Sequence, residues 1–300
     1  MKYNFDKVID RSGTSAEKVE GLKHIWGRTD LIPLWVADMD FATAPFVTDA
    51  IRKRCENEVL GYTGKPDSYY NAIINWVKQR YDLIVTKEVI NFVPGIVPGI
   101  GMAMNCFTQK GDKVMIQPPV YHPFATVSEK ARMNSVTFMS PSKAFNMPGL
   151  SASHALIFNE DLRKRFRIYM DAGELDMGHV FAFLSVEAAY SHGTEWLDQC
   201  LAYIQGNIDF VDEFLKKHAP KIKAIRPEAS YLVWLDCREL ELSQKDLNEF
   251  FVDKAHLALN DGEMFGKEGI GFMRLNVASP RCIIEKAMKQ LADAYQLYIK

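Results

Sequence analysis

Lys143 stands in the run F-M-S-P-S-K-A-F-N-M-P-G (138–149), behind Ser140 and Ser142, where an apolar strand is ending. An amine placed there has two readings. It is an ordinary solvated lysine, as most are, or a nucleophile that bonds a carbonyl-bearing cofactor while the two hydroxyls bind a phosphate beside it. A second candidate is P-G-I-V-P-G-I-G-M (94–102), which follows a strand and opens a helix. The first N–H groups of a helix have no internal partner and lie at the positive end of its dipole, so they suit a phosphate. The spacing is neither G-x-G-x-x-G nor a loop ending in G-K-[ST], so no nucleotide fingerprint is present. A plain tight turn before a buried helix would use the same glycines.

Other residues join these. Arg274 lies inside G-F-M-R-L-N-V-A (271–278) between apolar neighbours. A half-buried guanidinium needs an anion, so it either grips a carboxylate ligand bidentately or forms a structural ion pair. Tyr121, in P-P-V-Y-H-P-F, and Tyr62, in G-Y-T-G, present aromatic faces for stacking or for packing. Asp38 and Asp40 read better as turn-stabilising residues than as an acid/base pair. The seven histidines show no metal-ligand spacing. An amine, a phosphate cradle and an aromatic face together make the arrangement that holds pyridoxal phosphate as a Schiff base.

The elements that must position these residues can be read from periodicity. V-I-N-F-V (89–93) predicts a buried strand closing at Pro94-Gly95, and 96–107 a buried helix. Further strands are expected at 114–116, 135–139 and 153–158, with a helix at 123–132. Strands alternating with helices imply a largely parallel sheet and the α/β class. In the second half, apolar residues at three/four spacing over 195–217 predict a long amphipathic helix. Strands at 231–235 and 271–277, a capping box at Ser243-x-x-Asp246 and a C-terminal helix suggest a smaller α+β domain.

With 300 residues, 48% hydrophobic and 25% charged, the composition is that of an ordinary globular protein. A net charge of −2 without long single-sign blocks gives no sign of nucleic acid or an anionic membrane as partner. The N-terminus has no apolar core of a signal peptide, and the longest apolar stretch is broken by Pro and Gly, so no membrane span is expected. Five scattered cysteines without a C-x-x-C pair point to a reducing compartment, the cytoplasm.

Taken in order, P-L-W-V-A-D-M-D-F (33–41), G-Y-T (61–63), P-P-V-Y-H-P-F (118–124), S-P-S-K-A-F-N (140–146) and G-F-M-R-L-N-V-A-S-P-R (271–281) resemble the MalY/PatB family nearly from end to end. These are fold-type I pyridoxal-phosphate enzymes related to class I/II aminotransferases, acting as cystathionine β-lyases (C–S lyases). The resemblance implies a cofactor-binding large domain over residues 48–200 and a small domain of 1–47 with 201–300. It implies pyridoxal 5'-phosphate as cofactor, with Lys143 as Schiff-base lysine and proton carrier. Backbone amides of Ile96 and Val97, with Ser140 and Ser142, would hold the phosphate, and Tyr121 would stack on the ring. Tyr62 would reach the phosphate of the neighbouring subunit in a homodimer. Arg274 would bind the substrate carboxylate, and the backbone near Ala37 would close over it.

The chain departs from the family twice. Ser151 stands where many aminotransferases carry a phosphate-binding arginine. Between Asn134 and Ser135 a long family block is missing, which normally carries the asparagine on the cofactor's phenolic oxygen and the aspartate on its pyridine nitrogen. Three accounts stay open: residues beyond this sequence, a shortened non-catalytic or regulatory paralogue, or a substitute group. An aminotransferase with the same site is the enzymatic alternative.

Overall fold

The structure, a computed structural model, describes residues 2–113 and 135–299. The expected strand at 114–116, the expected helix at 123–132 and Tyr121 lie outside the described residues. The helices are α1 (Glu17–Trp26), α2 (Pro45–Cys55), α3 (Asp67–Tyr81), α4 (Ile96–Phe107), α5 (Glu160–Ala172), α6 (Val180–His192), α7 (Thr194–His218), α8 (Gln244–Glu249) and α9 (Arg281–Tyr298). The strands are β1 (Ile32–Pro33), β2 (Ile90–Val93), β3 (Thr137–Met139), β4 (Ser153–Leu156), β5 (Lys223–Ile225), β6 (Leu232–Asp236), β7 (Leu257–Ala258), β8 (Asn260–Asp261) and β9 (Phe272–Asn276). None of the described helices is long and apolar enough to cross a membrane. The described residues fall into two compact units, one running from Thr43 to Asp198 and the other made of the residues through Ala42 and from Gln199 onward.

In the Thr43–Asp198 unit the strands are ordered β2-β4-β3. The class is α/β: β2 and β3 run in the same direction, and β4 lies antiparallel between them. The reason is the connection. β3 and β4 are joined by the lysine loop, and a parallel neighbour needs a crossover, usually a helix. One sheet face packs Val93, Ala155 and Ile157 against Phe166 and Met170 of α5, with Met102, Ala103 and Phe107 of α4 on the same cluster. On the other face Phe92 meets Phe183 at 5.1 Å and His154 meets Tyr190 at 6.0 Å. Those partners belong to α6, whose buried residues run round its surface, as a core helix requires.

In the other unit an antiparallel sheet is ordered β5-β6-β9-β8, and β1 pairs in parallel with β7. Val233 and Leu235 alternate inward on β6. On α9 the stripe expected from periodicity at Ile283, Ala287, Met288, Leu291 and Tyr295 is buried except at its start, where Ile284 takes the place of Ile283. Ser243 caps α8 by accepting the Asp246 N–H at 3.2 Å.

Candidate active site

The lysine loop is tightly wound. Ser140 Oγ accepts the Ser142 N–H at 3.1 Å, donates to the Ala152 carbonyl at 3.0 Å, and touches Ser142 Oγ. Around Lys143, the Phe145 N–H donates to Pro141 O and the Met147 N–H to Ser142 O, each at 2.9 Å. The Phe145 ring is fully buried, 5.5 Å from Trp76 and 5.9 Å from Trp196. A Cβ at Gly193 would overlap that ring and the Ala189 carbonyl, so glycine lets the ring seat. Lys143 is thus half-buried on a backbone pinned on both sides.

Strand register brings the lysine loop and the start of α4 to one end of the sheet. Val93, the last residue of β2, lies opposite Ser153, and Met139, the last of β3, opposite His154. The Pro94-Gly95 turn therefore leaves the sheet at the end where Ser140 begins the loop. A Cβ on Gly99, in the first turn of α4, would stand 2.7 Å from Phe138 and 3.2 Å from Val93. Glycine allows that close approach of helix to sheet. Ile96 and Val97 open the helix, and their N–H groups precede any intrahelical bond, while Pro98 has no N–H to waste. Two amide donors and two hydroxyls at one sheet end, together with the buried Ser153 hydroxyl that lacks a partner among the described residues, form a donor set suited to a phosphate. The residues present fit the phosphate and aldehyde ends of pyridoxal phosphate.

In the other unit, Arg274 lies on β9, opposite Trp234 of β6 and Asn260 of β8. Its Nη2 donates to the Trp35 carbonyl at 2.9 Å and to the Asn260 side-chain oxygen. Among the described residues its buried Nε has no hydrogen-bond partner and no carboxylate pairs with the guanidinium. Burial pushes the guanidinium below the usual arginine range, an effect partly opposed by Tyr231. An arginine stays protonated regardless, so what this site demands is an anion. The structural ion pair weighed from the sequence is absent among the described residues.

The W-V-A-D-M-D-F segment is held from both sides. Asn276 Nδ2 donates to the carbonyls of Val36 and Asp38, each at 2.7 Å, and the Tyr231 hydroxyl donates to Ala37 O at 3.0 Å. Asp38 and Asp40 do more than stabilise turns. The fully buried Lys18 ammonium lies 2.8 Å from Asp40 and 3.5 Å from Asp38, and Arg11 lies 2.6 Å from Asp38 and 3.3 Å from Asp40. Hydrogen bonding to Asp38 raises the Arg11 guanidinium further above its ordinary range. Sequence reasoning missed Lys18, Asn260, Tyr231 and Asn276. Only the charge of Lys18 within an otherwise apolar-facing helix position hinted at it. Tyr62 is 98% exposed, beside the exposed Val59 and Leu60.

The family described as aminotransferase class I and II matches this sequence over residues 126–291. The chain belongs to the class I and II aminotransferase family. Within it, the cystathionine beta-lyase PatB of Bacillus subtilis (strain 168) is 28% identical, with 97% of this chain and 99% of that protein covered. That alignment spans 384 positions against the 300 residues here, so at least 84 positions face a gap inside this chain. Among solved structures, cystalysin from Treponema denticola, which contains a pyridoxal 5'-phosphate cofactor, superimposes with a TM-score of 0.91 at 26% identity, covering all of both chains. The pyridoxal-phosphate-bound C-S lyase from Staphylococcus hominis gives 0.86 at 27% identity, covering 98% of each chain.

Proposed function

We propose that this chain binds pyridoxal 5'-phosphate and cleaves the Cβ–S bond of cystathionine- or cysteine-type amino acids, yielding a thiol, ammonia and pyruvate. The observation that carries the reading is the superposition, over its whole length, on cystalysin with its pyridoxal cofactor. The serine–lysine loop and the α4 amides leave one sheet end, which brings amide donors to the end where the Lys143 loop begins. The Ile96 and Val97 amides, with the Ser140 and Ser142 hydroxyls, hold the phosphate. The Lys143 amine would hold the aldehyde end of the cofactor, and its free form would take the proton from Cα. Arg274 holds the substrate carboxylate with its uncommitted donors and so fixes the direction of the Cα–H bond. The Ala37 backbone, braced by Tyr231, closes over that carboxylate. The cofactor, when bound, supplies the sink for the electron pair left at Cα.

Tyr62, fully displayed beside Val59 and Leu60, fits a residue that reaches a second copy, so the working unit is a homodimer. The MalY/PatB resemblance assigns Tyr121 to stacking on the ring. All five cysteines are free thiols, consistent with a reducing cytoplasm. The large cofactor domain spans 48–200 and the small domain 1–47 with 201–300. Membership of the aminotransferase family supports a second reading, transfer to a keto acid. The products separate the two, because pyruvate formed without any added keto acid indicates the lyase.

The test is an absorbance spectrum of the chain with added pyridoxal phosphate. A visible band of lysine-bound cofactor is expected, and Lys143→Ala abolishes it. No band at any cofactor concentration would sink the proposal.

A further inference from the structure

Arg274 is held by three groups, and the third has no role in anything above. Its Nη2 is committed to Trp35 O and Asn260, which anchors one end of the guanidinium. The face of the guanidinium lies over the Phe265 ring, with Cζ 4.8 Å from the centroid. That is within the range where a ring quadrupole attracts a cation. Phe265 is itself set edge-to-face on Trp234 at 5.3 Å, and Trp234 is the cross-strand neighbour of Arg274.

The loop that delivers Phe265 is built for placement. It leaves β8, makes the turns Gly262–Phe265 and Lys267–Gly269, and returns into β9. At its neck the backbones of Gly262 and Gly269 cross so closely that a Cβ on either would overlap the other's carbonyl oxygen. Gly266 has φ +123°, a conformation that favours glycine. Gln244 bridges the neck: its amide donates to Asp261 at 2.6 Å and its oxygen accepts the Gly271 N–H at 2.7 Å. A loop pinched and bridged in this way holds the ring of Phe265 in place.

We propose that Phe265 is a positioning residue for Arg274, fixing the plane of the guanidinium so that Nε and Nη1 meet the carboxylate of an α-amino acid. The inference rests on the reading that Arg274 takes the substrate carboxylate, and names the residue that orients it. An aromatic face restrains the plane without using a donor. An aliphatic side chain of similar size fills the space but gives no such restraint.

The experiment uses the chain loaded with pyridoxal phosphate and reads the half-saturation of the change in cofactor absorbance. Two ligands are titrated, S-methyl-L-cysteine and its carboxylate-free counterpart 2-(methylthio)ethylamine. In Phe265→Leu the amino acid's half-saturation should rise about 3- to 10-fold, the loss of one cation–π contact. The amine's should not move, and Phe265→Tyr should bind both ligands as the unaltered chain does. An equal loss for both ligands in Phe265→Leu makes Phe265 a packing residue and overturns the inference. So does no change for either. If Arg274→Leu takes up cofactor and still prefers S-methyl-L-cysteine to the amine as the unaltered chain does, the carboxylate reading itself is overturned, and failure of the unaltered chain to take up cofactor would overturn the function proposed above.

Discussion

At the scale of single residues, charge placement follows one rule: a buried charge must be met. Lys18 is fully buried, and its ammonium is met by Asp40 and Asp38, which Arg11 also engages from its less buried side. Two cations and two anions close the set, which leaves the W-V-A-D-M-D-F backbone free to be held by Asn276 and Tyr231. Arg274 breaks the rule among the described residues, which supports the proposed role as carboxylate ligand. Replacing Lys18 tests the first statement. Lys18→Met leaves both carboxylates short of a partner and should cost about 3 kcal/mol, read as a fall in the urea midpoint. Adding Asp40→Asn should recover part of it, because the two residues are coupled. An unchanged midpoint for the single variant would show that the network contributes nothing to stability.

At the scale of elements, β4 decides most of the geometry of the Thr43–Asp198 unit. It lies between β2 and β3 and is antiparallel to both, so the ends of those strands, with α4 and the lysine loop, meet at one sheet end. Its cost is His154, fully buried with neither ring nitrogen bonded to a partner among the described residues. Burial lowers its pKa from 6.5 to about 3, so the folded chain keeps it neutral. The unfolded chain binds a proton near pH 6.5 that the folded chain refuses. The pH-dependent part of that cost is therefore absent above pH 6.5 and grows progressively as pH falls from there toward 3. His154→Leu should flatten the dependence of the urea midpoint on pH between 6.5 and 4. Parallel curves for the two proteins would remove His154 from the account of acid sensitivity.

At the scale of the whole molecule, the gap of at least 84 positions against PatB is internal, because both chains are covered almost from end to end. The MalY/PatB resemblance implies a missing block between Asn134 and Ser135, and with it an aspartate for the pyridine nitrogen. A carboxylate there keeps the ring protonated by charge pairing, which deepens the electron sink. The chain with its own residues should bind cofactor through the phosphate donors and Lys143, yet eliminate slowly. Grafting PatB's block at that junction should raise pyruvate formation from cystathionine roughly a hundredfold or more, the scale of one preorganised electrostatic group. Cofactor uptake should stay within a few-fold of the unaltered chain. Equal rates with and without the block would show that this chain supplies the missing interaction itself.

Local physics reaches the parts of this protein that depend on neighbours in sequence. The turn at Pro94-Gly95 followed by α4, the Ser243 cap, the stripe on α9 and the loop that carries Lys143 all follow from turn chemistry and periods of 2 or 3.6. The MalY/PatB motifs extend that reach to the class of chemistry. What the sequence left open was partnership at a distance. A strand's period says which face is buried but not which strand lies beside it, and so the place of β4 between β2 and β3, antiparallel to both, is decided only by folding. The same holds for charges. Nothing near Arg274 in the chain tells that Trp35 O and Asn260 anchor it without a carboxylate, or that Lys18 answers Asp40. Those pairings form only when the chain has folded back on itself, because the desolvation that makes them necessary exists only in the packed interior.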